Sequence, residues 1–229
     1  DGEAAEGGER FEVRSPIDQD WLIGRFVQGS ADDVDRAVQA ARAAYPAWAA
    51  TPWRERVALL RRAARLIEER VYAISAAVAV EVGKNRMEAI GEVQETADLI
   101  DWYADRMEEA DGFDRPLADD PLPNFKSHNR SVLRPYGVWA VIAPFNFPFA
   151  LAGGPLGPAL IAGNAAVVKC SPQTSLSGWL LLECLRDAGL PPGVINFVTG
   201  GDTTGRALAQ HPDVAGITFT GSHAVGMQV

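Results

Sequence analysis

The sequence predicts an α/β fold: a parallel sheet with flanking helices, preceded by an N-terminal helical segment and an exposed strand or extended arm. Three observations carry this. From Val138 onward, short apolar runs of β type (138–143, 165–168, 194–198 and 216–219) alternate with helical stretches near 150–162, 175–188 and 203–210. Gly, Pro or Asn marks each join, and repeated βα units call for parallel strands. The runs Val141-Ile142-Ala143 and Ala166-Val167-Val168 are apolar throughout, as strands covered on both faces are. Between residues 30 and 110, apolar positions instead recur at helical spacing.

Taken in order, residues 1–30 read as an irregular or short-stranded arm, with Phe11, Val13 and Leu22-Ile23-Gly24 as its apolar points. Ser30-Ala31-Asp32-Asp33 then opens an amphipathic helix with acids in its first turn, and Pro46 is expected to end it. A second helix starts at Thr51-Pro52, with Thr51 as cap and proline at the first helical position. Its stripe of Val57, Leu60, Ala64, Ile67 and Val71 carries it to about Val82. Gly83-Lys84-Asn85 interrupts. A third helix follows, with Met87, Ile90, Val93, Ala97 and Ile100 inward and Glu88, Glu92 and Glu95 outward. Residues 111–124 are acidic and proline-rich and read as a linker without regular structure. Residues 125–134 read as an exposed strand or extended arm, closed by Pro135-Tyr136-Gly137.

Composition excludes several function classes. The 229 residues carry a net charge of −9, which argues against nucleic acid and anionic membrane surfaces as partners. No stretch approaches the roughly 20 apolar residues that span a bilayer. The start, DGEAAEGGER, is acidic where a secretory signal is basic and then apolar, so a cytoplasmic location is expected. Two cysteines and three scattered histidines suit neither a disulfide framework nor a structural zinc site.

Ligands on parallel sheets bind at the carboxyl ends of the strands. Here those ends carry Pro144-Phe145-Asn146-Phe147-Pro148, Lys169-Cys170-Ser171-Pro172, Thr199-Gly200-Gly201-Asp202 and Thr220-Gly221-Ser222. Lys169 is one of only three lysines and ends an apolar strand, so it either snorkels at the sheet rim or lifts an ammonium into a crevice toward ligand oxygens. The turn Gly221 to Gly226 is either a tight connection or a diphosphate cradle. It is not a P-loop, because Met227 stands where lysine is needed, and no G-x-G-x-x-G occurs. Asn146 is either a turn residue or an amide donor to an oxygen that gains charge during acyl chemistry; local sequence leaves both open.

These four edges in this order resemble the aldehyde dehydrogenase superfamily. The matching stretches are APFNFPFALAGGPLGPALIAGNAAVVKCSPQTSL, AGLPPGVINFVTGGDTTG and VAGITFTGSHAVG, with looser similarity back to about residue 13. Within it, EVGKNRMEAIGEVQETADLIDWYADRM and RSVLRPYGVWAVIAPFNFPFALAGGP are most similar to the 1-pyrroline-5-carboxylate (glutamate semialdehyde) dehydrogenase branch. The resemblance implies a Rossmann-like cofactor-binding core over 138–229, a helical part over 1–121 and an oligomerisation β-arm over 122–137. It makes Asn146 an oxyanion donor, Lys169 a partner of the adenosine ribose, and Gly201 and Gly205 neighbours of the adenine. Gly221, Ser222 and Gly226 face the diphosphate, while Ala143, Pro144, Phe145, Ser171, Pro172, Phe219 and Thr220 complete the cofactor site. Glu95 falls near the aldehyde entrance.

The implied cofactor is NAD or NADP: family members often carry glutamate, which favours NAD, where this chain has Pro172. The family's nucleophilic cysteine and general-base glutamate lie beyond the FTGS turn. Cys170 and Cys184 match neither, so the chain is expected to hold cofactor, without metal, and to be inactive alone. The implied partners are a small aldehyde and further copies of the full-length protein. The alternative is a non-catalytic nucleotide-binding or assembly module.

Overall fold

The computed structural model describes residues 8–229, so the acidic start read against a signal peptide lies mostly outside the described residues. Its centre is a four-stranded parallel sheet in the order β7-β6-β5-β8, built from β5 (Val138–Ile142), β6 (Ala165–Lys169), β7 (Ile195–Phe197) and β8 (Val214–Phe219). The crossovers are α5 (Ala150–Ala162), α6 (Ser175–Asp187) and α7 (Asp202–Ala209), and a short turn of helix, α8 (His223–Gly226), follows β8. Strand side chains alternate between two cores. Val138, Ala140, Ile142, Ala165 and Val167 pack with Val34, Val38 and Ala41 of α1 (Ala31–Ala50) and Leu208 of α7. Val141, Ala143, Ala166 and Val168 pack on the other face with α5, α6 and three further helices. Cover on both faces explains the unbroken apolar runs.

Those helices are α2 (Trp53–Glu69), α3 (Val71–Val82) and α4 (Arg86–Glu109). Glycines let α4 lie close on α5: a Cβ on Gly153 would stand 2.3 Å from the Thr96 methyl carbon. The N-terminal arm is an antiparallel hairpin of β1 (Arg10–Arg14) and β2 (Leu22–Val27).

Five expectations need correction. Pro46 does not end α1, which continues for one more turn because Trp48 is buried and its indole N–H donates to Leu160 O at 3.2 Å. Thr51 closes α1, its hydroxyl bonding Ala47 O at 3.0 Å, and Pro52 occupies the α2 cap without a side-chain bond. The second helix breaks at Arg70 (φ −100°, ψ 7°), where its guanidinium leaves the helical stripe to pair with Asp187 at 2.8 Å. Residues 111–124 hold a strand, β3 (Asp114–Pro116), antiparallel to β4 (Arg130–Val132); the Asp114–Arg130 pair offsets its poor strand propensity. Glu92 is buried, and so is Ala89, while Met87 is exposed, so the inward stripe of α4 is rotated from the expected one.

The amino edge of the sheet is fastened by the chain's own groups. Asn164 Oδ1 accepts from Tyr136 N–H at 2.7 Å and Gly137 N–H at 3.1 Å, while its amide donates to Ala159 O at 3.2 Å. Arg56, buried, donates to Ile161 O at 2.9 Å and also to Thr51 O, closing the last turn of α5. Burial pulls its pKa below the ordinary arginine value.

Candidate functional site

The opposite edge gathers the predicted residues. Because β6 and β7 lie to one side of β5 and β8 to the other, the chain reverses its winding between β5 and β8, where a crevice for ligand opens in such sheets. Backbone bonds hold the strand ends side by side: Ala143 N–H to Lys169 O at 3.1 Å, Val198 N–H to Val168 O at 3.0 Å and Thr220 N–H to Ile142 O at 3.1 Å. Ala143, Pro144, Phe145 and Asn146 therefore leave β5 at the same edge where Lys169, Ser171 and Pro172 end and follow β6 on one side, and Phe219, Thr220, Gly221, Ser222 and Gly226 end and follow β8 on the other. Gly201 and Gly205 open α7 at the same edge. Glu95 stands apart, exposed on α4 one turn beyond Glu92.

Asn146 and Lys169 are among the polar groups at this edge that have no partner among the described residues. Asn146 is exposed and its amide makes no hydrogen bond. An Asx-turn would need the N–H two residues on, and Pro148 has none, so the turn reading lacks its bond. Lys169 is only 7% exposed, and its ammonium is unbonded. Burial lowers its pKa, with Cys170 and Asp202 opposing. A Cβ on Gly205 would lie 3.8 Å from Lys169 Nζ, which places the ammonium against the first turn of α7. A buried cation without a partner costs stability and suits a site that an oxygen ligand completes.

Two helix N-termini at this edge are already closed by carboxylates. Glu92 Oε1, from α4, accepts from Phe149 N–H at 2.7 Å and Ala150 N–H at 3.2 Å at the start of α5. Glu81, from α3, accepts from Leu176 N–H at 2.8 Å and Ser177 N–H at 2.9 Å, and from the Ser177 hydroxyl, at the start of α6. Desolvation raises the Glu81 pKa. Negative charge thus already sits on the positive ends of α5 and α6, and Asp202 occupies the first turn of α7. The turn after β8 holds no acid. There the Phe219 ring lies so close beneath Gly221 that a Cβ would come within 2.5 Å of it, and residues 221–226 are exposed.

Neither cysteine is an activated nucleophile. Burial pushes the Cys170 thiol up to about 12 and raises that of Cys184.

Sequence reasoning passed over Lys84 and misplaced Glu92. Lys84 Nζ bonds Glu92 Oε2 and stands 3.4 Å from the centroid of the Phe147 ring. The signal for Glu92 was its spacing: it shares a helical stripe with Ala89, Val93 and Thr96, all buried.

Beyond this geometry, the aldehyde dehydrogenase family model matches residues 3–229. The chain belongs to the aldehyde dehydrogenase family. Over 230 residues it is 36% identical to a 1-pyrroline-5-carboxylate dehydrogenase of Staphylococcus epidermidis, covering 100% of this chain and 44% of that protein. It is 41% identical over 226 residues to an N-succinylglutamate 5-semialdehyde dehydrogenase of Paraburkholderia xenovorans, covering 98% and 45%. Among solved structures, the NADP-dependent glyceraldehyde-3-phosphate dehydrogenase from Bacillus halodurans, complexed with NADP, superposes with a TM-score of 0.89 at 38% identity, over 96% of this chain and 46% of that one. This aldehyde dehydrogenase chain thus spans about half the length of the curated relatives it matches. No helix among its described residues is long and apolar enough to cross a membrane.

Proposed function

We propose that the chain is the cofactor-holding part of an NAD(P)-dependent aldehyde dehydrogenase that oxidises an aldehyde to a carboxylic acid. The observation that carries this reading is that Asn146 and Lys169 stand unpartnered at one sheet edge, where the N-termini of α5 and α6 are closed by carboxylates. When bound, the nicotinamide dinucleotide supplies the hydride acceptor. Lys169 donates to ribose oxygens of the adenosine half. The acid-free backbone of Gly221, Ser222 and Gly226 approaches the diphosphate, and Gly201 and Gly205 flank the adenine. Ala143, Pro144, Phe145, Ser171, Pro172, Phe219 and Thr220 wall the crevice. Pro172 puts no carboxylate beside the ribose, so a 2′-phosphate is not repelled there and NADP is admitted with NAD. The Asn146 amide donates to the carbonyl oxygen as it gains charge.

The substrate we favour is L-glutamate 5-semialdehyde, in equilibrium with 1-pyrroline-5-carboxylate, oxidised to glutamate in proline catabolism. The likeness to the staphylococcal protein supports it, and Glu95 would flank the aldehyde entrance. The likeness to the Paraburkholderia protein supports a second reading, the N-succinylated semialdehyde. The charge of −9 and the absence of a membrane-spanning helix among the described residues fit a cytoplasmic enzyme of small molecules. The β3–β4 hairpin and the exposed Leu122, Phe125 and Leu133 around it fit an arm that packs on a second copy.

Reduced-nicotinamide formation by the complete protein with both semialdehydes, and with simple aliphatic aldehydes as controls, tests the reading. Turnover of glutamate semialdehyde well above the others supports it, preference for the succinylated form selects the second, and nucleotide binding without turnover of any aldehyde leaves the non-catalytic module.

A further inference from the structure

The segment that carries Asn146 is tied down by an ion pair lying outside the crevice. The three residues after it are each fixed differently: Phe147 has Lys84 Nζ 3.4 Å from its ring centroid, Pro148 has a locked φ, and Phe149 is fully buried with its N–H on Glu92 Oε1 at 2.7 Å. Lys84 Nζ bonds the other oxygen of Glu92, so one carboxylate and one ammonium hold both ends of the tripeptide. The pair is itself rigid. The Glu92 side chain is completely buried and that of Lys84 only 10% exposed. Gly83, left-handed at φ 74°, ends α3 on one side of Lys84, and the Asn85 side chain, accepting from Glu88 N–H at 3.0 Å, starts α4 on the other. Asn146 is left free at its amide, while the three residues that follow it are held.

We propose that Lys84 and Glu92 are positioning residues for Asn146, fixing the direction in which its amide meets the developing oxyanion. The inference rests on Asn146 being that donor. A structural cap on α5 accounts for the carboxylate, and the burial of that carboxylate accounts for a paired ammonium; the seating of the ammonium against Phe147, the residue next to Asn146, is what a purely structural role leaves unexplained. Misplacing a preorganised donor by a fraction of an ångström weakens its bond to the transition state while leaving nucleotide contacts on β6 and β8 untouched.

The test uses the complete enzyme with Lys84→Met, Lys84→Arg, Asn146→Ala and the Lys84→Met/Asn146→Ala double variant, reading kcat, KM for the aldehyde, nucleotide Kd and thermal midpoint. The proposal expects Lys84→Met to lower kcat on the order of tenfold, with nucleotide Kd and aldehyde KM little changed. Lys84→Arg restores most of that loss, and the double variant is no slower than Asn146→Ala alone, because the two act through one group. If Asn146→Ala lowers kcat but Lys84→Met leaves it unchanged, or the losses multiply, the positioning role is overturned while the donor reading stands. If Asn146→Ala itself leaves kcat unchanged, the donor reading falls and takes this inference with it. Should Lys84→Met fail to fold, Phe147→Leu, which removes the ring under the ammonium and keeps the ion pair, replaces it with the same expectations.

Discussion

The two edges of the sheet use the same residue types for opposite ends. At the amino edge stands Asn164, buried, with both its carbonyl oxygen and its amide nitrogen bonded; at the carboxyl edge stands Asn146, exposed, with neither bonded. Each edge also has a buried cation. Arg56 donates to the Thr51 carbonyl between α1 and α2 and to the Ile161 carbonyl in the last turn of α5, while the Lys169 ammonium finds no oxygen bonded to it among the described residues. Where the polar groups are consumed the edge holds the fold together. Where they are left over, folding alone gives no reason for them, and the proposed ligand would.

The comparison is sharpest under substitution. Asn164→Ala strips the acceptor from two backbone N–H groups and should destabilise the chain by about 3 kcal/mol in urea unfolding; a loss below about 1 kcal/mol would mean the amino edge is not fastened there. Next in size, Pro172→Glu adds a second carboxylate to the surroundings of Lys169, which already include Asp202, and so gives the buried cation of the carboxyl edge a partner as Arg56 has at the other. NADP affinity should fall about tenfold, near 1.4 kcal/mol, and NAD affinity by less, in parallel calorimetric titrations.

Lys169→Met should stabilise the unliganded chain by about 1 kcal/mol, the reverse of the Asn164 effect. Its pH dependence follows from burial. The folded state holds the Lys169 proton less tightly than the unfolded chain, so the charged ammonium costs stability at neutral pH and that cost fades as pH rises through the lowered pKa. The advantage of methionine is therefore greatest near neutrality and shrinks in alkali, measured as the difference in unfolding free energy across that range. The smallest effect belongs to Asn146→Ala, expected within about 0.5 kcal/mol of the parent in stability. A larger loss would reveal a structural bond and return Asn146 to the amino-edge class.

The sheet was legible to within a residue or two because its strands are covered on both faces, so apolar composition marks them directly. The stripe of α2 was legible through Val57, Leu60, Ala64 and Ile67, all buried. What sequence spacing hides is contact with distant chain. Pro46 continues a helix because Trp48 reaches Leu160, and Arg70 breaks one where its guanidinium reaches Asp187. Glu92 looks like a solvated helix acid until the terminus it caps, 57 residues away, is folded onto it, and nothing in the spacing of Glu81 marks the terminus it caps 95 residues away. The candidate cofactor-site residues lie at or just past strand ends, where the βα rhythm itself points. The groups proposed to brace Asn146 lie elsewhere, Glu92 on α4 and Lys84 in the link before it, where only the folded structure brings them to this edge.

The central claim is that the carboxyl edge is built for a dinucleotide, and Lys169 tests it most directly. NAD and NADP are titrated calorimetrically into the 229-residue chain and its Lys169→Ala variant. The account predicts saturable binding of at least one nucleotide to the parent, weakened about tenfold or more in the variant. Equal affinities for parent and variant, or a parent that binds neither nucleotide, would contradict it.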